Sequence, residues 1–325
     1  MTIESNKRPF RWAFIGAGNI ANVVAKDSIC DGANIVSVWN RSPKRKEKFA
    51  QKFHVSPYES ALEAINRDDV DGVYVNVVHS KHYDFVKLCL ENKKPVLCEK
   101  ALTLNYKQAK ELFDLAEKNN VYFSEAMWTW HSPVAKKVKK WIKENRLGKI
   151  ISVEGSFGYP MLLVNHNKRL TDINLGGGAI LDLGVYCIRY AYELFGIPKN
   201  ISCKGKVKNG ADLDDLIVFE YDGFNAVLRC SFTNFRGHYF MIVGEKGYIK
   251  VPAFNMAHKA IIKTDKKESF VFKGRLFSEQ FKEVEKEILS GNINPVNVTK
   301  ESSLDVMKLM DECRKQIGVI YPEER

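Results

Sequence analysis

The sequence predicts an α/β chain: a doubly wound parallel sheet in its N-terminal half, then an α+β domain with a large, mostly antiparallel sheet. Three observations predict it. The chain has 325 residues, more than one hydrophobic core ordinarily organises, so two domains are expected. From Arg11 to about Ser124, short β-branched runs take turns with helical patterns, which is the signature of a parallel sheet wrapped on both faces. After Met127, strand candidates follow one another without helices between them, as in an antiparallel sheet. The expected division is therefore 1–127 and 128–325.

In chain order the first half reads WAFIG, a helix to Ile29, IVSVWN, PKRKEKFAQKF, GVYVNVV, HYDFVKLCLENK, PVLCEK, YKQAKELFDLAEKNN and VYFSEA. Its strand runs lack clean period-two alternation, as expected of strands covered by helices on either side. The second half opens with an amphipathic helix from Pro133 to Asn145. It continues as IISVEGSFG, ISCKGKVKNG, DLIVFEY, NAVLRCSFTN, YFMIVGEKGYIKV and KAIIKTD. Asp222-Gly223 supplies a tight turn between two of these runs. Helices over 278–290 and 301–316 close the reading.

Composition excludes several classes. Hydrophobic residues make up 45% and charged residues 27%, ordinary for a globular protein. The opening MTIESNKRPFRWAFIG lacks a signal-peptide pattern, and no stretch reaches roughly 18 uninterrupted apolar residues, so a cytoplasmic protein without a membrane partner is expected. Seven cysteines, odd in number, scattered and never spaced CxxC, argue against a disulfide framework and a zinc site. No metal is expected. The net charge of +11 comes from lysines dispersed along helical segments, such as Lys136, Lys137, Lys139, Lys140 and Lys143. They are not interleaved with aromatics, so a solvated basic face is preferred over nucleic-acid binding.

Immediately after the first strand stands Gly16-Ala17-Gly18-Asn19-Ile20-Ala21, the GxGxxA form of the dinucleotide fingerprint of a Rossmann domain. Gly16 permits a tight turn, Gly18 lets backbone approach a pyrophosphate, and Ala21 leaves room for helix-on-strand packing. NAD sites usually carry an acid at the end of the second strand. This chain offers Asn40-Arg41-Ser42, followed by Lys44 and Arg45. An acid would repel a ribose 2′-phosphate, whereas Arg41 and Ser42 can bind one, with Arg45 adding positive field. NADP is therefore expected in preference to NAD; the alternative is a solvated basic helix start.

GAGNIA (16–21), a strand ending near His79 to His82, CEKAL (98–102) and GGGAILDLGVY (176–186) together resemble the Gfo/Idh/MocA oxidoreductase family. EAMWT (125–129), the glycine-rich segment ending in Tyr186 and the tail RKQIGVIYPEE (314–324) look most like its branch of dimeric trans-dihydrodiol dehydrogenases and NADP-dependent D-xylose dehydrogenases. The resemblance implies that Glu99 and Lys100 stand beside the nicotinamide, with Ala101 where the family has proline. It also implies Tyr186 as proton carrier, with Lys100 favouring its phenolate. Asp182 orients Lys100 or substrate hydroxyls, or is simply solvated. His82 matches a family histidine and either caps the following helix or touches cofactor. Trp128 and Arg169 are substrate candidates, and Trp130 stands where relatives tend to carry arginine.

The activity so implied is NADP(H)-dependent hydride transfer at a sugar or vicinal diol, in a homodimer joined through the C-terminal sheet. A carbonyl or anhydrofructose-type reductase, or a sugar oxidoreductase with tightly bound NADP, is the alternative among enzymes. A non-catalytic NADP-binding regulator is the alternative of another class.

Overall fold

The computed structural model describes residues 8–161, 168–235 and 237–325. Its first sheet runs β1 (Arg11–Ile15), β2 (Asn34–Trp39), β3 (Ser56–Pro57), β4 (Gly72–Val75), β5 (Val96–Glu99) and β6 (Phe123–Ala126). The spatial order is β3-β2-β1-β4-β5-β6, with every neighbouring pair parallel. Helices α1 (Asn19–Ile29), α2 (Pro43–Phe53), α3 (Ala61–Ile65), α4 (His82–Glu91) and α5 (Tyr106–Asn119) make the crossovers. β4, β5 and β6 are buried at every residue, which is why β4 and most of β5 run apolar without alternation, while Glu99, Ser124 and Glu125 are polar groups buried in the same sheet. Chain direction across the sheet reverses between β1 and β4, the place where doubly wound sheets bind ligands. β3 and α3 were not expected from the sequence. α3 is short, and the reciprocal capping box of Ser60 and Glu63 fixes its start.

After α6 (Trp128–His131) and α7 (Pro133–Lys143), the second sheet comprises β7 (Ile150–Gly158), β8 (Asn200–Lys208), β9 (Ala211–Tyr221), β10 (Phe224–Ser231), β11 (Gly237–Gly244), β12 (Gly247–Pro252), β13 (Lys259–Lys263) and β14 (Lys267–Val271). Its order is β14-β13-β12-β11-β7-β10-β9-β8. All pairs are antiparallel except β7 with β10. That exception follows from the connection, because the chain leaves β7 for α8 (Val185–Phe195) and the β8–β9 hairpin before returning beside it. Asp222-Gly223 does turn β9 into β10, with Tyr221 opposite Phe224 and Gly223 at φ 82°.

Alternate residues of β10 and β11 face two environments. Ala226, Leu228, Cys230, Phe240 and Ile242 are buried beneath the chain's own helices. Val227, Arg229, Tyr239, Met241 and Val243, on the opposite face, are only half-buried.

The closing helices α9 (Leu276–Leu289) and α10 (Lys300–Ile317) return to the first domain. Phe281 packs against Trp12 with ring centroids 4.9 Å apart, and Trp12 Nε1 donates to Glu285 Oε1 at 2.7 Å. The Phe277 amide donates to Asp27 Oδ2 at 3.2 Å, while the Tyr106 amide donates to Asp311 Oδ2 at 2.8 Å. Residues beyond 275 thus complete a core that β1 began.

Where the two halves meet, Arg189 of α8 is fully buried and pairs with Glu125 of β6. Its guanidinium also donates to Ser302 Oγ at 2.8 Å and Ser303 Oγ at 3.3 Å on α10, and Ser303 Oγ donates to Glu125 Oε2 at 3.0 Å. Removing one partner strands the other charge away from water. Arg189→Ala is expected to cost about 3–5 kcal/mol, measured as a lowered midpoint in urea denaturation with an unchanged slope.

Candidate active site

Five chain segments converge beyond the C-terminal ends of β1, β2, β4 and β5. The first is the glycine loop. The Gly16 amide donates to Trp39 O at 2.8 Å, drawing the loop onto β2. Gly16 has φ 121°, and a Cβ there would lie 2.4 Å from Asn76 Oδ1 and 2.7 Å from Asn76 O. Only glycine fits. A Cβ on Gly18, by contrast, would meet nothing within 4 Å, so backbone lies open to the cleft. Gly18 is the N-cap of α1 and no side chain caps this helix start, which leaves its positive end available to an anion. Asn19 is exposed and Ile20 half-buried in the first turn. The Ala17 amide, however, donates to Asn40 Oδ1 at 3.0 Å and is occupied within the protein.

At the end of β2, Arg41 and Arg45 are exposed and Ser42 is half-buried. Ser42 is the N-cap of α2, yet its hydroxyl makes no capping bond. Asn40, where an NAD site would carry an acid, is held between Ala17 and Ser42 O, to which its Nδ2 donates at 3.1 Å.

Lys100 directly follows β5, and its peptide bond to Ala101 is cis. Its Nζ donates to Asp182 O at 2.7 Å, lies 3.3 Å from Asp182 Oδ1, and stands 5.0 Å above the centroid of the Tyr186 ring. Arg169 Nη2 approaches the same Asp182 oxygen at 3.4 Å. Asp182 sits in a π turn (Ile180–Gly184), and Tyr186 in the first turn of α8. The helix bearing Tyr186 is therefore entered through one wider turn. Burial alone would raise the Asp182 carboxyl, but the Lys100 and Arg169 charges outweigh it and hold the group well below its usual range. Lys100, Asp182, Arg169 and Tyr186 form one cluster.

The electrostatics of Tyr186 run against the expectation that Lys100 favours its phenolate. Burial pushes the phenol well above its ordinary value, and the carboxylates of Glu99, Asp182 and Glu125 push it further. The Lys100 ammonium is bonded to Asp182 and faces the ring, and the Tyr186 phenol is protonated in this arrangement.

Glu99 and His82 also differ from expectation. Glu99 lies beneath Lys100, its carboxyl receiving the Tyr74 hydroxyl and, at 3.3 Å, the Lys100 amide. Burial pushes it up to about 7, against the opposing pull of Tyr74 and Lys100. The His82 ring is fully buried between Val77 O at 3.2 Å and Ala101 O at 3.0 Å, joining two loops rather than capping α4 or facing the cleft. His79 bridges the halves, with Nδ1 2.9 Å from Gly176 O and Nε2 3.2 Å from Lys100 O.

The wall opposite is aromatic. Trp128 packs on Tyr186 with centroids 5.3 Å apart, and its Nε1 donates to Asn255 O at 2.6 Å. Phe157, which sequence reasoning did not single out, lies 5.7 Å from Tyr186 and 3.9 Å from His238. Trp130 instead packs on Tyr190 at 5.0 Å, inside the second domain. Among the described residues, no group of three His, Cys, Asp or Glu side chains could hold a metal ion.

The profile of an oxidoreductase family with an NAD-binding Rossmann fold matches residues 10–127, and that of the GFO/IDH/MocA C-terminal domain matches residues 135–250. A trans-1,2-dihydrobenzene-1,2-diol dehydrogenase from Xenopus laevis is 30% identical over 331 residues, spanning 96% of this chain and 99% of the relative. The chain belongs to the Gfo/Idh/MocA oxidoreductase family.

Within the Gfo/Idh/MocA family, a D-xylose 1-dehydrogenase (NADP(+)) from Hypocrea jecorina is 27% identical, covering 98% of this chain and 95% of that one. A 3-ketoreductase from Actinomadura kijaniata, solved with NADP and TDP-benzene, superposes with a TM-score of 0.84 at 25% identity, over 95% of this chain and 98% of that one. The protein is accordingly an NAD(P)-dependent oxidoreductase acting on alcohol or carbonyl groups.

The two buried histidines make stability depend on pH. Burial lowers His79 to about 3 and His82 to about 4 from an ordinary 6.5. The unfolded chain takes up these protons first as pH falls, so stability present above pH 6.5 is lost toward pH 4. The expected loss is roughly 1 kcal/mol per pH unit for each ring. Denaturant titrations at about pH 7 and about pH 5 measure it, and His79→Gln with His82→Gln flattens the slope.

Proposed function

We propose that this protein is an NADP(H)-dependent oxidoreductase of a sugar or vicinal diol, with Lys100, Asp182 and Tyr186 at the reacting carbon. The carrying observation is the placement of Lys100 Nζ, 3.3 Å from Asp182 Oδ1 and 5.0 Å over the Tyr186 ring, beside an open glycine loop. The residues present fit a dinucleotide. Gly18 and the uncapped start of α1 suit the pyrophosphate, and Arg41, Ser42 and Arg45 suit a 2′-phosphate. Relatives whose names carry NADP(+) support that preference.

Bound nicotinamide supplies or accepts the hydride. Tyr186 Oη holds the proton that a carbonyl oxygen gains on reduction. Lys100 is placed to orient the substrate oxygen and offset negative charge developing on it, and Asp182 fixes the ammonium in place. Arg169 is half-buried at the same cluster, within reach of further substrate hydroxyls. Trp128 and Phe157 close the wall and exclude water. For oxidation, the Tyr186 phenolate has to form, which requires Lys100 to turn from Asp182 toward the phenolic oxygen.

The raised phenol pKa favours the carbonyl-reductase reading as second choice, since Tyr186 is then protonated at neutral pH. A regulator that only bound NADP would need neither Lys100 nor Tyr186. The seven free cysteines, six of them buried, fit a cytoplasmic setting.

The decisive experiment titrates wild-type protein, Arg41→Ala and Tyr186→Phe with NADPH and NADH by fluorescence. It then follows turnover of D-xylose, scyllo-inositol and trans-1,2-dihydrobenzene-1,2-diol by nicotinamide absorbance. Arg41→Ala is expected to weaken NADPH by about 2 kcal/mol and leave NADH unchanged. Tyr186→Phe is expected to lower turnover about 100-fold or more with NADPH binding intact. Unaltered turnover in Tyr186→Phe would remove it as proton carrier.

The half-buried sheet face also belongs to this reading. Ile151 is 54% exposed and Leu216 37%, beside the groove formed by Glu154, Tyr221, Phe224 and Arg229. Two copies facing each other there bury this mixed apolar face. Light scattering should return twice the 37.1 kDa chain mass, and Leu216→Glu should lower it toward one chain.

A further inference from the structure

The tail RKQIGVIYPEE and the aspartates of DLDD have no part in the chemistry above, yet both lie behind the glycine-rich loop that launches the Asp182–Tyr186 segment. Asp212 is fully buried on β9, and its Oδ2 accepts the Ile180 amide at 2.6 Å, at the start of the π turn. Gly178, at φ 139°, presses on it so closely that a Cβ would fall 2.3 Å from Asp212 Oδ1 and 3.2 Å from the Tyr321 hydroxyl. Tyr321, fully buried, donates that hydroxyl to Gly177 O at 3.0 Å. Arg314 stacks over the Tyr321 ring at 4.8 Å and is itself held by Glu324, at 2.8 Å, and Asp311, at 2.7 Å. The loop therefore rests on two polar supports from parts of the chain remote in sequence.

We infer that Asp212 and Tyr321 are positioning residues for the reaction, holding Gly177–Ile180 so that the π turn sets Asp182 against Lys100 and Tyr186. Neither touches Lys100 or Tyr186, so each acts through backbone. A carboxylate at a buried amide forms a charge-assisted bond stronger than a peptide carbonyl would give. Asp215 lies beside Asp212, and two buried carboxyls do not both ionise: burial and the Asp212 charge push Asp215 up to about 10. Burial pushes Asp212 up as well, and the bond from the Ile180 amide opposes that shift. The inference rests on the reading of Lys100 and Tyr186 as the reacting groups, because only then does placement of the π turn bear on rate.

The test uses full-length Asp212→Asn, Asp212→Ala and Tyr321→Phe. Asparagine keeps an oxygen for the Ile180 amide; alanine does not. Two readouts are taken: amide hydrogen exchange in the 176–184 segment, and kcat, KM and NADPH affinity with whichever of the three substrates above the wild type turns over. Asp212→Ala and Tyr321→Phe should accelerate exchange in 176–184 and leave the 11–21 segment unchanged. Both should lower kcat about 10- to 100-fold, since small misplacements of reacting groups cost that much. KM and NADPH affinity should stay within about twofold, and Asp212→Asn should restore most of the exchange protection and most of kcat. If Asp212→Ala does not fold, Tyr321→Phe, which loses one hydroxyl, decides the matter.

Unchanged exchange in both variants would overturn the inference. So would a kcat loss that Asp212→Asn fails to rescue, or one matched by lost NADPH affinity. Its failure is separable from failure of the proposed chemistry. Tyr186→Phe inactive beside a fully active Asp212→Ala defeats the support role alone. Tyr186→Phe fully active defeats the proton carrier, while exchange still reports whether the loop is held.

Discussion

Arg189 carries a charge into a place with no solvent, and that one buried pair organises the molecule. Its partner, Glu125, lies in the last strand of the parallel sheet. Arg189 lies one helical turn beyond Tyr186, and Ser302 and Ser303 come from α10. Because neither charge tolerates separation from the other, strand, site helix and closing helix have one way to fit together. Replacing the pair by apolar side chains of similar volume could keep the stability. It would remove the directional bonds that fix α8 in rotation, and with it the direction in which Tyr186 points.

The same negative partner acts at a distance on the chemistry. Burial, and after it the charges of Glu99, Asp182 and Glu125, keeps the Tyr186 phenol protonated, while Lys100 is retained by Asp182. On the proposed chemistry the cluster is balanced toward giving a proton rather than taking one. Any group that draws Lys100 away from Asp182 changes that balance, so a substrate oxygen competing for the ammonium also adjusts the acid beside it.

The parallel sheet and its fingerprint were legible because they are local: a buried strand, a glycine turn and a helix start leave contiguous signals. The cluster of Lys100, Asp182 and Tyr186 was legible only through resemblance, since 82 residues separate Lys100 from Asp182 and spacing alone does not join them. Glu99 was read as standing beside the cofactor and His82 as either capping a helix or touching cofactor, but motif membership does not reveal which way a side chain turns at a strand end, and both turn inward. Phe157 was hidden in a strand run whose alternation marks its face without saying what that face meets. Asp212 looked like one acid among several in DLDD; only burial distinguishes it from Asp214. Ala17 was read as part of the cofactor loop, but its amide serves Asn40.

The 144 residues between Gly177 and Tyr321 set a timetable for synthesis. A ribosome moving at about 5–20 residues per second needs on the order of ten seconds to pass from one to the other. Throughout that interval the segment bearing Asp182 and Tyr186 waits for its prop, and the first sheet waits as well for Phe281, which packs on Trp12 and Phe14. Neither half of the molecule is therefore finished until the closing helices have been made.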